Sequence, residues 1–307
     1  MIKIEIIAMQ HRLSSKLPAI SFSIAMSFSG CLMAGDDINE SRSVDPEGIV
    51  TIKNVRGDIE ILGWNKPEIK IEGELDDMTK KIVFEVTGTK TRIDILMPRF
   101  NVNHGDGSDL KIRVPSLSRV SFTGVSTDTV IKDIYGGVKV ESVSGEIEVE
   151  NNKGKLIIKT ISGNIEVSES TGNARISTVS GEMNLEIAGE SLTLETISGD
   201  IEGKFEDFMH LRSSTISGNQ KLSGQLNNNG EVTISSVSGD VRLELQESVN
   251  ATIFARTGIG GEIENDLSEH KPQVQFPAQG LLEATLGDGS GRISISTVSA
   301  DIRLDRR

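Results

Sequence analysis

A five-residue phrase recurs through the second half of this chain. Val143-Ser144-Gly145-Glu146-Ile147 returns as Ile161-Ser162-Gly163-Asn164-Ile165, as Val179-Ser180-Gly181-Glu182-Met183 and as Ile197-Ser198-Gly199-Asp200-Ile201. Looser copies follow at Ile216-Ser217-Gly218, Val237-Ser238-Gly239-Asp240-Val241 and Val298-Ser299-Ala300-Asp301-Ile302. A step of about 18 residues marks a stack of coils, each too small to bury its own apolar face.

Alternation within a coil reads as strand. Leu156 and Ile158 share one face, Ile161, Gly163, Ile165 and Val167 share another, and the phase slips between Ile158 and Ile161. Each coil is therefore expected to run strand, corner, strand and polar loop, with the corner Val or Ile inside. Stacking at about 4.8 Å pairs every backbone group with the coils above and below. The predicted fold is an all-β, single-stranded parallel β-solenoid, right-handed by the crossover rule. The motif glycine has two readings: a turn that needs positive φ, or a small inward residue under a crowded corner. Ala300 at the same place favours the second. Ser213 and Gln220 fall where apolar residues belong, and residues 251–292 lose the phrase, which suggests a local irregularity and then a larger insertion.

The 307 residues carry a net charge of −13, only 4% aromatic residues and 7 Pro. The acidic balance argues against nucleic acid as a partner, because that would need basic stripes. His11, Arg12 and Lys16 precede an uncharged run from Leu17 to Gly30, shorter than a comfortable membrane span and suited to a secretory signal. The run ends in Phe28-Ser29-Gly30-Cys31, which resembles a bacterial lipobox whose cysteine is lipidated; the bland alternative is an ordinary signal peptide with a chance Cys. Phe28 departs from the usual Leu, Met9 offers a later start, and Leu32 stands where an Asp would signal inner-membrane retention. The expected division is a signal peptide over 1–31, a polar tether over 32–47 and one solenoid domain over 48–307. Within that domain, 48–124 holds less regular coils or a capping sheet, 125–250 the regular repeats, and 251–307 the insertion and a C-terminal coil.

The Val-Ser-Gly-Asp/Glu-Ile series, the strand Leu110-Lys111-Ile112-Arg113-Val114-Pro115 and the closing Ser296-Thr297-Val298-Ser299-Ala300-Asp301-Ile302 resemble a bacterial candidate-adhesin family of unknown function, whose members are secreted or lipidated β-solenoids. The resemblance covers roughly 48–307. It implies a fold and an exported location, and it brings no functional residues with it.

No residue cluster reads as an active site or a cofactor or metal site. His11, His104, His210 and His270 are scattered, without ligand spacing. Gly105-Asp106-Gly107-Ser108-Asp109 and Gly287-Asp288-Gly289-Ser290-Gly291 resemble fragments of calcium loops but lack the closing Glu and the tandem repeat. Glu146, Glu182, Asp200, Asp240 and Asp301 point outward as a carboxylate file that Asn164 and Asn219 interrupt; this reads as a solvated face before it reads as a cation site or a polysaccharide-cleaving cleft. The Thr/Ser pairs flanking the corner, such as Thr160 and Ser162, resemble the ladders of ice-binding faces but are expected to satisfy backbone groups at the bend. The sequence thus points to a non-enzymatic cell-envelope scaffold, with adhesion first. An accessory lipoprotein docking one partner in assembly or stress signalling comes second, and a polysaccharide-active enzyme is a minor alternative. Expected partners are an envelope or surface protein or extracellular matrix, and a membrane reached through lipid on Cys31; the expected location is exported, in the periplasm or at the cell surface, with anchoring to the outer membrane. The scarcity of aromatic platforms counts against a glycan-binding version.

Overall fold

The computed structural model describes residues 37–98, 107–275 and 279–307. Every regular element among them is a β-strand. The strands that precede the Val-Ser-Gly corner form a first sheet, and those that follow it a second. In the first, Val120, Val138, Leu156, Ala174, Leu192, Leu211, Val232 and Ile293 pair in one parallel file. In the second, Thr129, Ile147, Ile165, Met183, Ile201, Gln220, Val241 and Ile302 do the same. Bridges Ser126–Ser144–Ser162–Ser180–Ser198–Ser217 tie the corners together. The inward aliphatic residues of both sheets share a single core. The chain is an all-β, mostly parallel, solenoid-like stack.

Spatial order departs from chain order at both ends. Ile49–Lys53 and Arg56–Trp64 lie between an outer coil made of Lys90–Leu96 and Ser108–Pro115 and an inner one made of Arg119–Thr123 and Ser126–Lys132. At the other end, Gly291–Thr297 and Ile302–Arg306 slip between the coil of Val232 and an outermost coil made of Ala251–Ile259 and Ile263–Asn265. Much of the expected insertion is therefore a coil in its own right. Its second strand has only three residues, and Gly291–Thr297 and Ile302–Arg306 fill the place between it and the regular coils.

Antiparallel strands finish both ends. Lys81–Thr87, Glu68–Glu74 and Asp37–Ser43 do so at the first end, and Gln279–Leu286 and Gln273–Gln275 at the second. They occupy edges that would otherwise offer free backbone groups to another chain. The expected tether over 32–47 is corrected here: Asp37–Ser43 is a strand with Ile38 buried, and Arg42 lies 4.6 Å over the Phe84 ring. A polar edge strand held mainly by main-chain bonds shows little alternation, so it reads as linker.

The motif glycines from Gly145 to Gly218 satisfy both readings at once. Gly163 and Gly181 have φ of 146° and 140°. A Cβ on Gly181 would sit 2.2 Å from the Gly163 carbonyl oxygen. The crowding comes from the backbone of the coil below rather than from corner side chains. The positive-φ reading set aside on the strength of Ala300 is correct for these coils; Ala300 itself is not at positive φ.

The polar pair in the fifth copy is also explained. Ser213 and Gln220 are both buried; the Ser213 hydroxyl donates to Gln220 Oε1 at 2.5 Å, and Gln220 Nε2 donates to the Ser235 carbonyl at 3.0 Å. Two polar residues facing each other across the core satisfy one another, which one alone could not do.

Candidate binding faces and the corner ridge

The largest departure from expectation lies at the corner. Thr160, Thr178, Thr196 and Thr215 are the inward residues there, and the aliphatic residue after each points out. The phase slips after Ile161, not before it. Val125, Val143, Ile161, Val179, Ile197, Ile216, Val237 and Val298 thus form an exposed file, 42–59% accessible, one residue per coil. Hydrogen bonds from each following serine to the corner carbonyl below keep the file straight, as from Ser162 to Val143 and from Ser299 to Val237. At about 4.8 Å per coil the ridge runs about 34 Å. β-Branched side chains suit this extended backbone and shield one another along the file.

The hydroxyls behind the ridge face inward, and four of the seven satisfy backbone carbonyls at the bend. Ser142 donates to the Ser144 carbonyl, Thr178 to Ser180, Ser236 to Gly239 and Thr297 to Ala300. Thr160, Thr196 and Thr215 bury a hydroxyl oxygen without a partner. With the threonines inside, no outward Thr ladder exists at these coils.

The file of carboxylates and amides after the motif glycine faces outward as expected, but it has a structural task. Asp128 Oδ1 accepts from the Glu146 N–H at 2.7 Å, Asn164 from Glu182 at 3.1 Å, Asp200 from Asn219 at 2.7 Å, Asn219 from Asp240 at 3.0 Å and Asp240 from Asp301 at 3.0 Å. Asp and Asn are interchangeable here because either offers an oxygen at the same reach, so Asn164 and Asn219 do not interrupt the file. Glu146 and Glu182 do, since a Glu carboxylate is one carbon farther out. Glu182→Asn is expected to add a bond to the Asp200 N–H and about 1 kcal/mol of stability, read as a higher denaturation midpoint. A midpoint lowered by the change would remove this account of the file.

The ridge divides two faces of opposite charge. Over the six coils from Arg119 to Ser214, the outward positions of the first sheet carry Arg119, Lys139, Lys155, Lys159, Arg175 and Arg212 against Glu141 and Glu195. The matching positions of the second sheet carry Asp128, Glu146, Glu148, Glu150, Glu166, Glu182, Glu186, Asp200 and Glu202 against Lys132, Lys204 and Lys221. Lys132 holds Glu148 at 2.8 Å and Glu150 at 2.6 Å, and these carboxylates raise its pKa. Lys221, 2.8 Å from Glu202, lowers the pKa of that carboxyl. On the first sheet Lys155, Lys159 and Arg212 form no ion pair among the described residues. A chain of net −13 therefore presents one basic face, which total charge conceals.

The remaining sequence candidates do not converge. His210 is exposed on the first sheet and His270 in a loop near its far end; His11, His104 and Cys31 lie outside the described residues. Of the first glycine-rich fragment, Gly107 and Ser108 are engaged with buried Asp76: the Gly107 N–H donates to Asp76 Oδ2 and the Asp76 N–H donates to Ser108 Oγ, each at 3.0 Å. In the second fragment Asp288 Oδ1 accepts from the Ser290 N–H at 3.0 Å, which lowers its pKa. Among the described residues no three or more His, Cys, Asp or Glu are placed to hold a metal ion. No helix among them is long and apolar enough to cross a membrane.

A protein-family model, Toastrack DUF4097, matches residues 48–226. The chain belongs to the Toastrack family. The match takes in most of the regular coils and the irregular ones before them, which agrees with the family resemblance of the repeat phrase. No curated protein matches this Toastrack chain. Solved structures that align with it include a candidate adhesin from Bacteroides fragilis NCTC 9343, 11% identical, at a TM-score of 0.42 over 88% of this chain and 97% of that one. A candidate lipid binding protein from Parabacteroides distasonis ATCC 8503 is 13% identical, at 0.46 over 89% and 98%. A candidate cell adhesion protein from Clostridium sporogenes ATCC 15579 is 14% identical, at 0.23 over 89% and 100%. At these scores the likenesses carry no argument about function.

Proposed function

We propose that this Toastrack protein is a non-enzymatic binding scaffold of the cell envelope, with adhesion as its leading role. The observation that carries the reading is the exposed aliphatic ridge between faces of opposite charge. Solvent-facing apolar residues are ordinary when scattered; a straight file of eight is a surface that a partner can cover. The flanking faces add charge selectivity and orientation. Solenoids commonly bind along such extended flanks. In this reading residues 1–31 are an export signal, Cys31 is lipidated, and the domain is held at the outer membrane or cell surface. The second reading, an accessory lipoprotein docking one envelope protein, uses the same ridge.

The test is crosslinking capture from whole cells with the full chain, beside an Ile161→Ser/Ile197→Ser variant. The expected result is capture that falls severalfold in the variant while its melting temperature stays near the parent's. Matrix or host-surface components would support adhesion, and one dominant envelope protein would support the accessory reading. Equal capture by parent and variant would sink the ridge as the binding surface. Labelling with a radioactive fatty acid, abolished by Cys31→Ser, tests the anchor; an unlabelled parent would refute it.

A further inference from the structure

A half-open cavity of about 620 Å³ lies at the far end of the first sheet, where the outermost coil meets its antiparallel cap. Phe254, 42% exposed, lines it; the other described aromatic side chains are buried or half-buried. Register places Phe254 directly between Glu283 on one neighbouring strand and Ser294 on the other. Two residues along, Thr252 lies between Thr285 and Arg292. All six are on the outer side of the sheet, and cross-strand neighbours there are about 5 Å apart. His270 closes the wall. Among the described residues the side chains of Glu283, Arg292 and Ser294 have no hydrogen-bond or ion-pair partner, while the Thr252 hydroxyl is already engaged with the Gly289 carbonyl at 3.3 Å.

We infer that this cavity is a saccharide-binding site, fitted to an uncharged or N-acetylated pyranose unit of a glycan. An exposed aromatic ring presents a negative face that attracts the polarised C–H bonds of a sugar. Around it the free groups match a ring of hydroxyls: a carboxylate that only accepts, a guanidinium that only donates, and a serine that does both. The volume suits one or two sugar units. A nucleotide is the rival occupant, with its base on Phe254 and its phosphate on Arg292. The carboxylate of Glu283 directly beside the ring disfavours an anionic ligand there, so the sugar fits better. The inference rests on the reading of the chain as a binding protein and gives that reading a ligand class. It also answers the sequence-level objection that aromatic platforms are scarce, because one suffices when the topology surrounds it with hydrogen-bonding groups.

The test is a glycan array probed with the full chain, followed by NMR titration with any oligosaccharide retained, with ATP titrated in parallel. The expected result is millimolar or tighter binding of at least one neutral or N-acetylated glycan, with the Phe254 ring resonances shifting. Phe254→Ala should weaken it about tenfold, the scale of an aromatic contact. Glu283→Gln should weaken it severalfold, and Lys90→Ala, exposed at the opposite end of the stack, should leave it unchanged. Phe254 is exposed, so its variant should melt with the parent; if it does not, Glu283→Gln and the ring shifts still decide. Retention of no glycan on the array, binding unaffected by both Phe254→Ala and Glu283→Gln, or binding of ATP alone would overturn the site. Capture of an envelope partner without glycan binding would overturn this inference and leave the scaffold reading standing. Glycan binding without ridge-dependent capture would do the reverse.

Discussion

Gly181→Val is expected to destabilise the protein by about 3 kcal/mol or more, combining backbone strain at positive φ with overpacking. Gly181 has φ of 140°, and any Cβ would lie 2.2 Å from the Gly163 carbonyl oxygen and 2.7 Å from its carbonyl carbon. Neither atom can move without opening the corner, because each corner is bonded to its neighbours: the Gly163 N–H donates to the Ser180 carbonyl at 3.2 Å, and the Gly181 N–H to the Ser198 carbonyl at 3.2 Å. A comparison with Gly239→Val separates the two causes, since Gly239 is as crowded, at 1.9 Å from the Gly218 oxygen, but is not at positive φ. Urea denaturation of both variants measures the split. A Gly181→Val midpoint close to the parent's would refute the packing account of the corner.

Asp76→Asn is expected to cost about 3 kcal/mol, the scale of breaking one side of a buried ion pair. The Asp76 side chain is fully buried and accepts from Arg56 Nε at 2.6 Å, from Arg56 Nη2 at 3.0 Å and from the N–H of Met78 at 2.7 Å and of Gly107 at 3.0 Å. The amide keeps the shape but removes the charge opposite a guanidinium that is only 15% exposed. The hydrogen bond from Arg56, assisted by those backbone donors, holds the Asp76 carboxyl below its ordinary pKa of 3.8. A depressed folded-state pKa contributes stability that is fully present above the ordinary value and is lost as pH falls through the folded value. The parent should therefore lose stability below about pH 4, and Asp76→Asn should lack that part of the loss, so the two curves converge in acid. A constant difference between them at all pH values would show that the carboxylate charge is not what matters.

Legibility followed periodicity. Alternation in Leu156–Lys159 and Ile165–Val167 was readable because a strand buried on one face must repeat every second residue, and the 18-residue step was readable because each coil meets the same neighbours as the last. The corner was misread by a few residues: Ile161 looks like core by composition, while the buried residue is Thr160, a polar type that composition alone would place outside. Asp37–Ser43 was missed because an edge strand is specified by main-chain pairing. The cavity around Phe254 had no signal at all, since Glu283, Arg292 and Ser294 reach it from two further strands.

By itself the sequence determined what depends on local period and composition: an all-β stack of coils, the register of its regular part, the inward aliphatic rows and the Toastrack relationship. Tertiary structure alone decided which coil lies against which at the ends, that the corner aliphatics form an outward ridge, that a chain of net negative charge has a basic face, and that Phe254 gathers polar partners. The physical reason is that period constrains a residue's neighbours within its own coil and the coils in register with it. Faces, caps and cavities arise from residues tens of positions apart, whose meeting depends on the order in which the coils are stacked.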